Sequence, residues 1–131
     1  MGLSLMRRIT DLSLYCEGVE DYAAKMTQVS NGDIQKIARV TQEGQMFTPR
    51  MAGQLEAQFL KMMVQISKAD RVLDVATFTG MSAMALAEGL PEKGEVVTIE
   101  FDPKLAIVAD RLFRSSSQAQ KLTLKVRCCK R

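Results

Sequence analysis

Between Arg71 and Val126 the residue pattern switches repeatedly between a period of two and a period near 3.6, and this alternation fixes the class of fold. Arg71-Val72-Leu73-Asp74-Val75 is a short run of β-type character. Gly80 to Gly89 is an Ala-rich helical stretch, with Ala83, Ala85 and Ala87 small enough for close packing on a sheet. Pro91 to Gly94 is a turn and Glu95 to Glu100 (EVVTIE) a second strand. Asp102-Pro103 then opens a helix with Leu105, Val108, Ala109 and Leu112 on one face, and Lys121 to Val126 (KLTLKV) alternates as a third strand. Strands separated by helices are joined by crossovers, so the order β-α-β-α-β predicts an α/β fold with a parallel sheet.

Helices precede this unit. From Glu17 to Met26 the residues Val19, Tyr22, Ala23 and Met26 recur at helical spacing, and Ser30-Asn31-Gly32 supplies a turn. A second helix is expected near Asp33, with Ile34, Ile37 and Ala38 on one face, followed by a loop over residues 41–48. Thr48-Pro49 reads as the start of a third, the hydroxyl capping exposed amides and the proline standing where its missing N–H costs nothing. Leu55, Phe59, Met62, Met63 and Ile66 form an apolar stripe along it, with the methionines read as core filler rather than as a cofactor box. The chain thus divides into a helical segment, 1–48, and a nucleotide-binding-type domain, 49–131. No internal repeat is visible, and only Ser115 to Ser117 hints at low complexity.

Composition narrows the chemistry. There is no histidine, which removes Ser-His and Cys-His catalytic pairs and leaves acid-base work to carboxylates or lysines. Cys16, Cys128 and Cys129 have no metal-ligand spacing and are read as free thiols. No apolar run approaches the roughly 18 residues of a membrane span, and the first residues do not resemble a secretory signal, so the expectation is a cytoplasmic protein with no membrane partner. From Arg111 onward there are seven basic residues and no acidic one, leaving eleven basic against fifteen acidic before it. This basic tail carries no interleaved aromatics and no nucleic-acid module, so it is read as a solvated end with no nucleic-acid partner.

Ligands of doubly wound sheets bind beyond the carboxyl ends of the strands, where the loop after the first strand meets a helix amino terminus. Here that loop is Asp74-Val75-Ala76-Thr77-Phe78-Thr79-Gly80-Met81-Ser82. Gly80 lets backbone amides approach a ligand, Ser82 can present a hydroxyl and an amide to a carboxylate, and Glu100 ends the next strand where a ribose would lie. Together they describe a site for an adenosine-type cofactor. The loop does not match GxGxxG, which argues against a nicotinamide. Taken singly, Ser82 also reads as a helix-start residue, Glu100 as a strand-end charge and Asp74 as a local cap.

The segment VLDVATFTGMSAMALAEGLPEKGEVVTIEFDP resembles the cofactor-binding segment of the small cation-dependent O-methyltransferases, the caffeoyl-CoA and catechol O-methyltransferase family. TPRMAGQLEAQFLKMMVQISKADR is similar to the helix before that segment, so the resemblance covers about residues 46–126. It implies the amino-terminal half of a Rossmann-like class I methyltransferase fold and S-adenosylmethionine (SAM) as cofactor. Asp74 would lie near the methionine part, Ser82 would hold its carboxylate, Glu100 would bind the ribose and Phe101 would flank the adenine. Ala76, Thr77, Phe78 and Gly80 would complete the cofactor loop. The acceptor would be a hydroxyl of a small catechol- or phenylpropanoid-like molecule, and the family's divalent cation, magnesium, would hold it.

Two features depart from the family. Ala76 stands where the family has its first loop glycine, which costs on the order of 1 kcal/mol if that position needs a positive φ. After the third strand the family continues with Gly-Asp-Ala or a close variant, whereas this chain reads Arg127-Cys128-Cys129-Lys130-Arg131. The resemblance therefore implies a truncated chain, without catalytic or metal-binding residues of its own, whose first strand becomes a sheet edge prone to self-association or homodimer formation. The competing reading is a non-catalytic cofactor-binding or interaction module that uses that edge.

Overall fold

A computed structural model describes residues 18–28, 31–44 and 52–127. Helix α1 spans Val19–Met26 and α2 Gly32–Glu43. The Asn31 side chain caps α2 by accepting from the amides of Asp33 and Ile34, and Asp33 adds a negative charge to the first turn. Ile34 and Ile37 are buried, as their spacing predicts. The helix continues through residues 41–43, where a loop was expected. Thr41 is buried there with its hydroxyl 2.7 Å from the Ile37 carbonyl, a local bond that accommodates a polar residue inside a helix.

Helix α3 runs Gln54–Ser67 after an N-cap at Gly53. The expected Thr48-Pro49 start lies outside the described residues. Its buried face also differs from the expected stripe: Leu55, Phe59, Met62, Met63 and Ile66 are exposed, while Ala57 and Val64 are buried with Leu60 and Lys61 half-buried beside them. The reason is close approach. α3 packs on α4 (Met81–Gly89), in which Met81, Ala83, Met84, Ala85, Leu86 and Ala87 are all buried. A Cβ on Gly89 would stand 2.7 Å from the Lys61 carbonyl oxygen and 2.9 Å from Val64 Cβ. Only the small-residue face of α3 can come this near, so the bulkier stripe turns outward. A Lys61–Glu88 ion pair of 3.1 Å ties the two helices together.

The sheet is parallel with order β1-β2-β3: β1 is Arg71–Val75, β2 Glu95–Glu100 and β3 Leu122–Val126. Val72 pairs with Val96 and Val96 with Leu122, a register that turns Val72, Val96, Leu122 and Leu124 toward the helices. β1 is the edge expected from the sequence. Leu73 and Val75, on its opposite face, are 63% and 70% exposed, and nothing among the described residues covers them.

Helix α5, Pro103–Arg114, is capped by Asp102, whose carboxylate accepts from the Lys104 amide at 2.8 Å, with Pro103 in the first turn. It buries Ala106, Ala109, Leu112 and Phe113, so the face is rotated slightly from the expected one and Leu105 and Val108 are only half-buried. The serine run is a structured link: the amide and hydroxyl of Ser117 both donate to the Asp33 carboxylate, and Lys36 donates to Ser115. Just before β3, Lys121 donates to the carbonyls of Ala87 and Leu90 at the carboxyl end of α4. No helix among the described residues is long and apolar enough to cross a membrane. The three cysteines lie outside the described residues.

The tight α3–α4 contact yields a direct expectation. Gly89→Ala should lower unfolding stability by about 1–3 kcal/mol through overpacking against backbone, measured by urea denaturation. An unchanged midpoint would show that the two helices separate easily.

Candidate functional site

β1 and β2 end side by side, with Val75 paired to Ile99. The chain then turns into α4, anchored by the amides of Ala76 and Thr77, which both donate to the Ile99 carbonyl at 2.9 and 3.1 Å. Three of the next five residues have left-handed backbone: Ala76 at φ 72°, Phe78 at 52° and Gly80 at 95°. Such a conformation costs an L-residue roughly 1–2 kcal/mol, so other contacts must hold it. At Gly80 no side chain would fit, since an added Cβ would run into the buried Phe113 ring.

Glu100 supplies much of the restraint. Its carboxylate is nearly fully buried; Oε2 accepts from the Phe78 amide at 2.7 Å and Oε1 from the amides of Phe101 and Asp102 at 3.0 Å each. A carboxylate offers about four acceptor sites, so roughly one remains for a ligand. The strand-end glutamate is thus first a structural knot between two loops. A second restraint lies beneath the loop: Thr98 donates to Asp74 Oδ2 at 2.6 Å, which leaves Thr77 as donor in its 2.6 Å bond to Thr98. What Thr77 can offer a ligand is therefore backbone, because its hydroxyl is turned inward and buried. Asp74 is half-buried, and Oδ1 keeps no partner among the described residues.

Gly80 is the N-cap of α4 and brings no side-chain cap. Its own amide closes a turn on the Thr77 carbonyl at 2.8 Å, and the first helical bond comes only from Met84. The amides of Met81, Ser82 and Ala83 find no acceptor among the described residues, nor does the Ser82 hydroxyl. Unbonded amides at the positive end of a helix form a receptor for an anionic group. Phe101 stands at the rim, 71% exposed. Asp74, Ala76, Thr77, Phe78, Gly80, Ser82, Glu100 and Phe101 thus belong to one strand-loop-helix corner. Among the described residues no three His, Cys, Asp or Glu side chains sit close enough to hold a metal ion.

Sequence reading missed Thr41, Thr79 and Thr98. Thr98 had a signal, a polar residue on the same strand face as Glu100; Thr41 and Thr79 had none.

The O-methyltransferase family model matches residues 25–130. The chain belongs to this family. It is 39% identical over 71 residues to the mouse catechol O-methyltransferase domain-containing protein 1, covering 54% of this chain and 27% of that protein. It is 36% identical over 56 residues to the catechol O-methyltransferase of Niastella koreensis, covering 43% and 25%. The fold matches the O-methyltransferase from Bacillus cereus in complex with SAH, with a TM-score of 0.75 at 23% identity, over 83% of this chain and 49% of that one. The chain therefore spans about a quarter of the length of these curated relatives and about half of the solved structure. The architecture is the Rossmann-like one of class I methyltransferases.

The left-handed backbone at Ala76 gives a stability test. Ala76→Gly removes the strain but adds freedom to the unfolded chain, so the net change should be a gain of up to about 1 kcal/mol. Thermal and urea unfolding check this, and a clear loss would mean that Ala76 is not held at positive φ.

Proposed function

We propose that the protein serves SAM-dependent O-methyl transfer to a hydroxyl of a small catechol- or phenylpropanoid-like acceptor, and that these residues provide the cofactor site. The observation that carries the proposal is the corner itself: α4 amides without an acceptor among the described residues at the end of a loop that is bonded to Glu100 and, through Thr98, to Asp74. The methionine part of SAM bears both a carboxylate and an ammonium group. The α4 amides and the Ser82 hydroxyl would take the first and Asp74 Oδ1 the second. The remaining acceptor capacity of Glu100 would take a ribose hydroxyl, and Phe101 would lie against the adenine. Bound there, the cofactor supplies a methyl group made electrophilic by its sulfonium. Residues 49–131 form the cofactor domain in this reading, with the preceding helices as its support, in a cytoplasmic protein. Membership of the O-methyltransferase family supports the reaction class, and the names of the two relatives support a catechol-like acceptor. The divalent cation belongs to the proposal through the family resemblance alone.

A second reading is favoured by one observation, the uncovered edge strand β1 with Leu73 and Val75 exposed. An edge of this kind templates pairing with another chain. In this reading the chain forms homodimers or larger assemblies through β1.

Calorimetry with SAM and its product S-adenosylhomocysteine (SAH) tests the first reading. Binding should weaken about tenfold in Ser82→Ala, the loss of one hydrogen bond to a charged group, and should tighten in Ala76→Gly. Equal losses in Ser82→Ala and in the distant Lys93→Ala would remove the assigned site. Size-exclusion chromatography addresses the edge: wild type should elute as an associated species and Val75→Lys as a monomer, whereas a monomeric wild type would remove the second reading.

A further inference from the structure

The loop that forms the proposed cofactor corner is gripped from a direction that the strand-loop-helix unit does not itself provide. Thr79 lies between the two left-handed residues Phe78 and Gly80 and is fully buried. Its hydroxyl is hydrogen-bonded to that of Thr41, 2.9 Å away on α2 and equally buried, the single Thr41 proton being shared between Thr79 and the Ile37 carbonyl. Thr41 in turn lies 2.7 Å from the Ile37 carbonyl, which fixes its rotamer. Ile34 and Ile37 seat this helix in the main hydrophobic core, and the Ser117–Asp33 and Lys36–Ser115 bonds hold its amino-terminal half to the end of α5.

We infer that α2 sets the conformation of the cofactor loop through the Thr41–Thr79 hydrogen bond, so that Thr41 is a positioning residue for a site it does not touch. The physical case rests on burial. A hydroxyl removed from water costs free energy unless it is bonded, and Thr79 has this one partner among the described residues. If Thr41 loses its hydroxyl, Thr79 loses this partner while it stays buried, which destabilises the conformation that Phe78 and Gly80 hold on either side of it. Their amides close the loop, the first on Glu100 and the second on the Thr77 carbonyl. Gly80 is also the residue from which α4 presents its unbonded amides. A small rotation there would redirect the anion-binding end of the site. The inference deepens the cofactor reading and rests on it for its consequence in binding, but the coupling within the chain can be measured without any ligand.

The test compares Thr41→Val, which keeps the shape and removes the hydroxyl, with Thr41→Ser, which restores it. Amide hydrogen exchange on the full ligand-free chain is the first readout. In Thr41→Val the amides of Phe78 and Gly80 should exchange about tenfold faster after correction for any change shared with Met84 and Ala85 in α4, the loss expected for one hydrogen bond. Thr41→Ser should stay within about twofold of wild type. Thr79→Val approaches the bond from the loop side, and the double variant should exchange no faster than either single one. SAH affinity by calorimetry should follow the same order. Unchanged loop exchange in Thr41→Val and Thr79→Val, or equal acceleration at Met84 and Ala85, overturns the inference. Failure of the wild-type chain to bind SAH overturns the cofactor reading instead, and the exchange data still decide the coupling.

Discussion

The turn from β1 into α4 must reverse the chain within five residues, and it does so by alternating left-handed and ordinary backbone at Ala76, Phe78 and Gly80. Only Gly80 is suited to this by its chemistry. The other two are held by bonds from outside the turn: the Ile99 carbonyl, the Glu100 carboxylate, the Thr98 hydroxyl and the Thr41 hydroxyl. These bonds come from β2 and α2, so the position of α4 follows from a loop that its own sequence would not stabilise. Strain of this kind persists where the surroundings over-determine it, which is common at ligand sites.

The second constraint is steric. α4 is nine residues long and buried almost all round, so each neighbour must come close. Gly89 admits the α3 backbone, and Lys121 satisfies carbonyls that the end of the helix leaves open. On the other side of the sheet the pattern is incomplete. Val97 and Ile99 are half-buried while Leu73 and Val75 lie open, although their side chains are those of a strand covered on both faces.

The strands were legible in the sequence to within a residue, because their short β-type runs stand between helical stretches, and β2 is also bracketed by Gly94 and Pro103. The Asp102-Pro103 helix start was legible for the same reason, its cap and proline acting locally. The apolar stripe of α3 misled because hydrophobicity alone ranks Phe59 and Met62 above Ala57, whereas the close contact with Gly89 selects the smaller face. The extension of α2 through Thr41 was hidden because the residue looks like a breaker until its burial against Thr79 is known. In the site, residue types and spacing identified the corner, but not what each atom is already doing there. Nothing in EVVTIE says that the glutamate already holds three backbone amides, or that the threonine two places before it joins Asp74 to Thr77. Both facts depend on parallel pairing that brings residue 98 opposite residue 74.

The Glu100 knot also orders events in time. Each strand pairs with its neighbour along the chain, so the sheet grows by successive crossovers and needs no distant partner to begin. The loop after β1 is different: Ala76, Thr77 and Phe78 find their acceptors only once residues 99 and 100 are in place. As the chain leaves the ribosome, β1 and the Ala-rich segment emerge before Thr98, Ile99 and Glu100, which supply most of the bonds to the turn between them. The bonds that shape this loop from β2 therefore form only once the β1–β2 crossover closes. A substitution in β2 that slows this pairing would prolong the interval in which Leu73 and Val75 meet other chains unpaired.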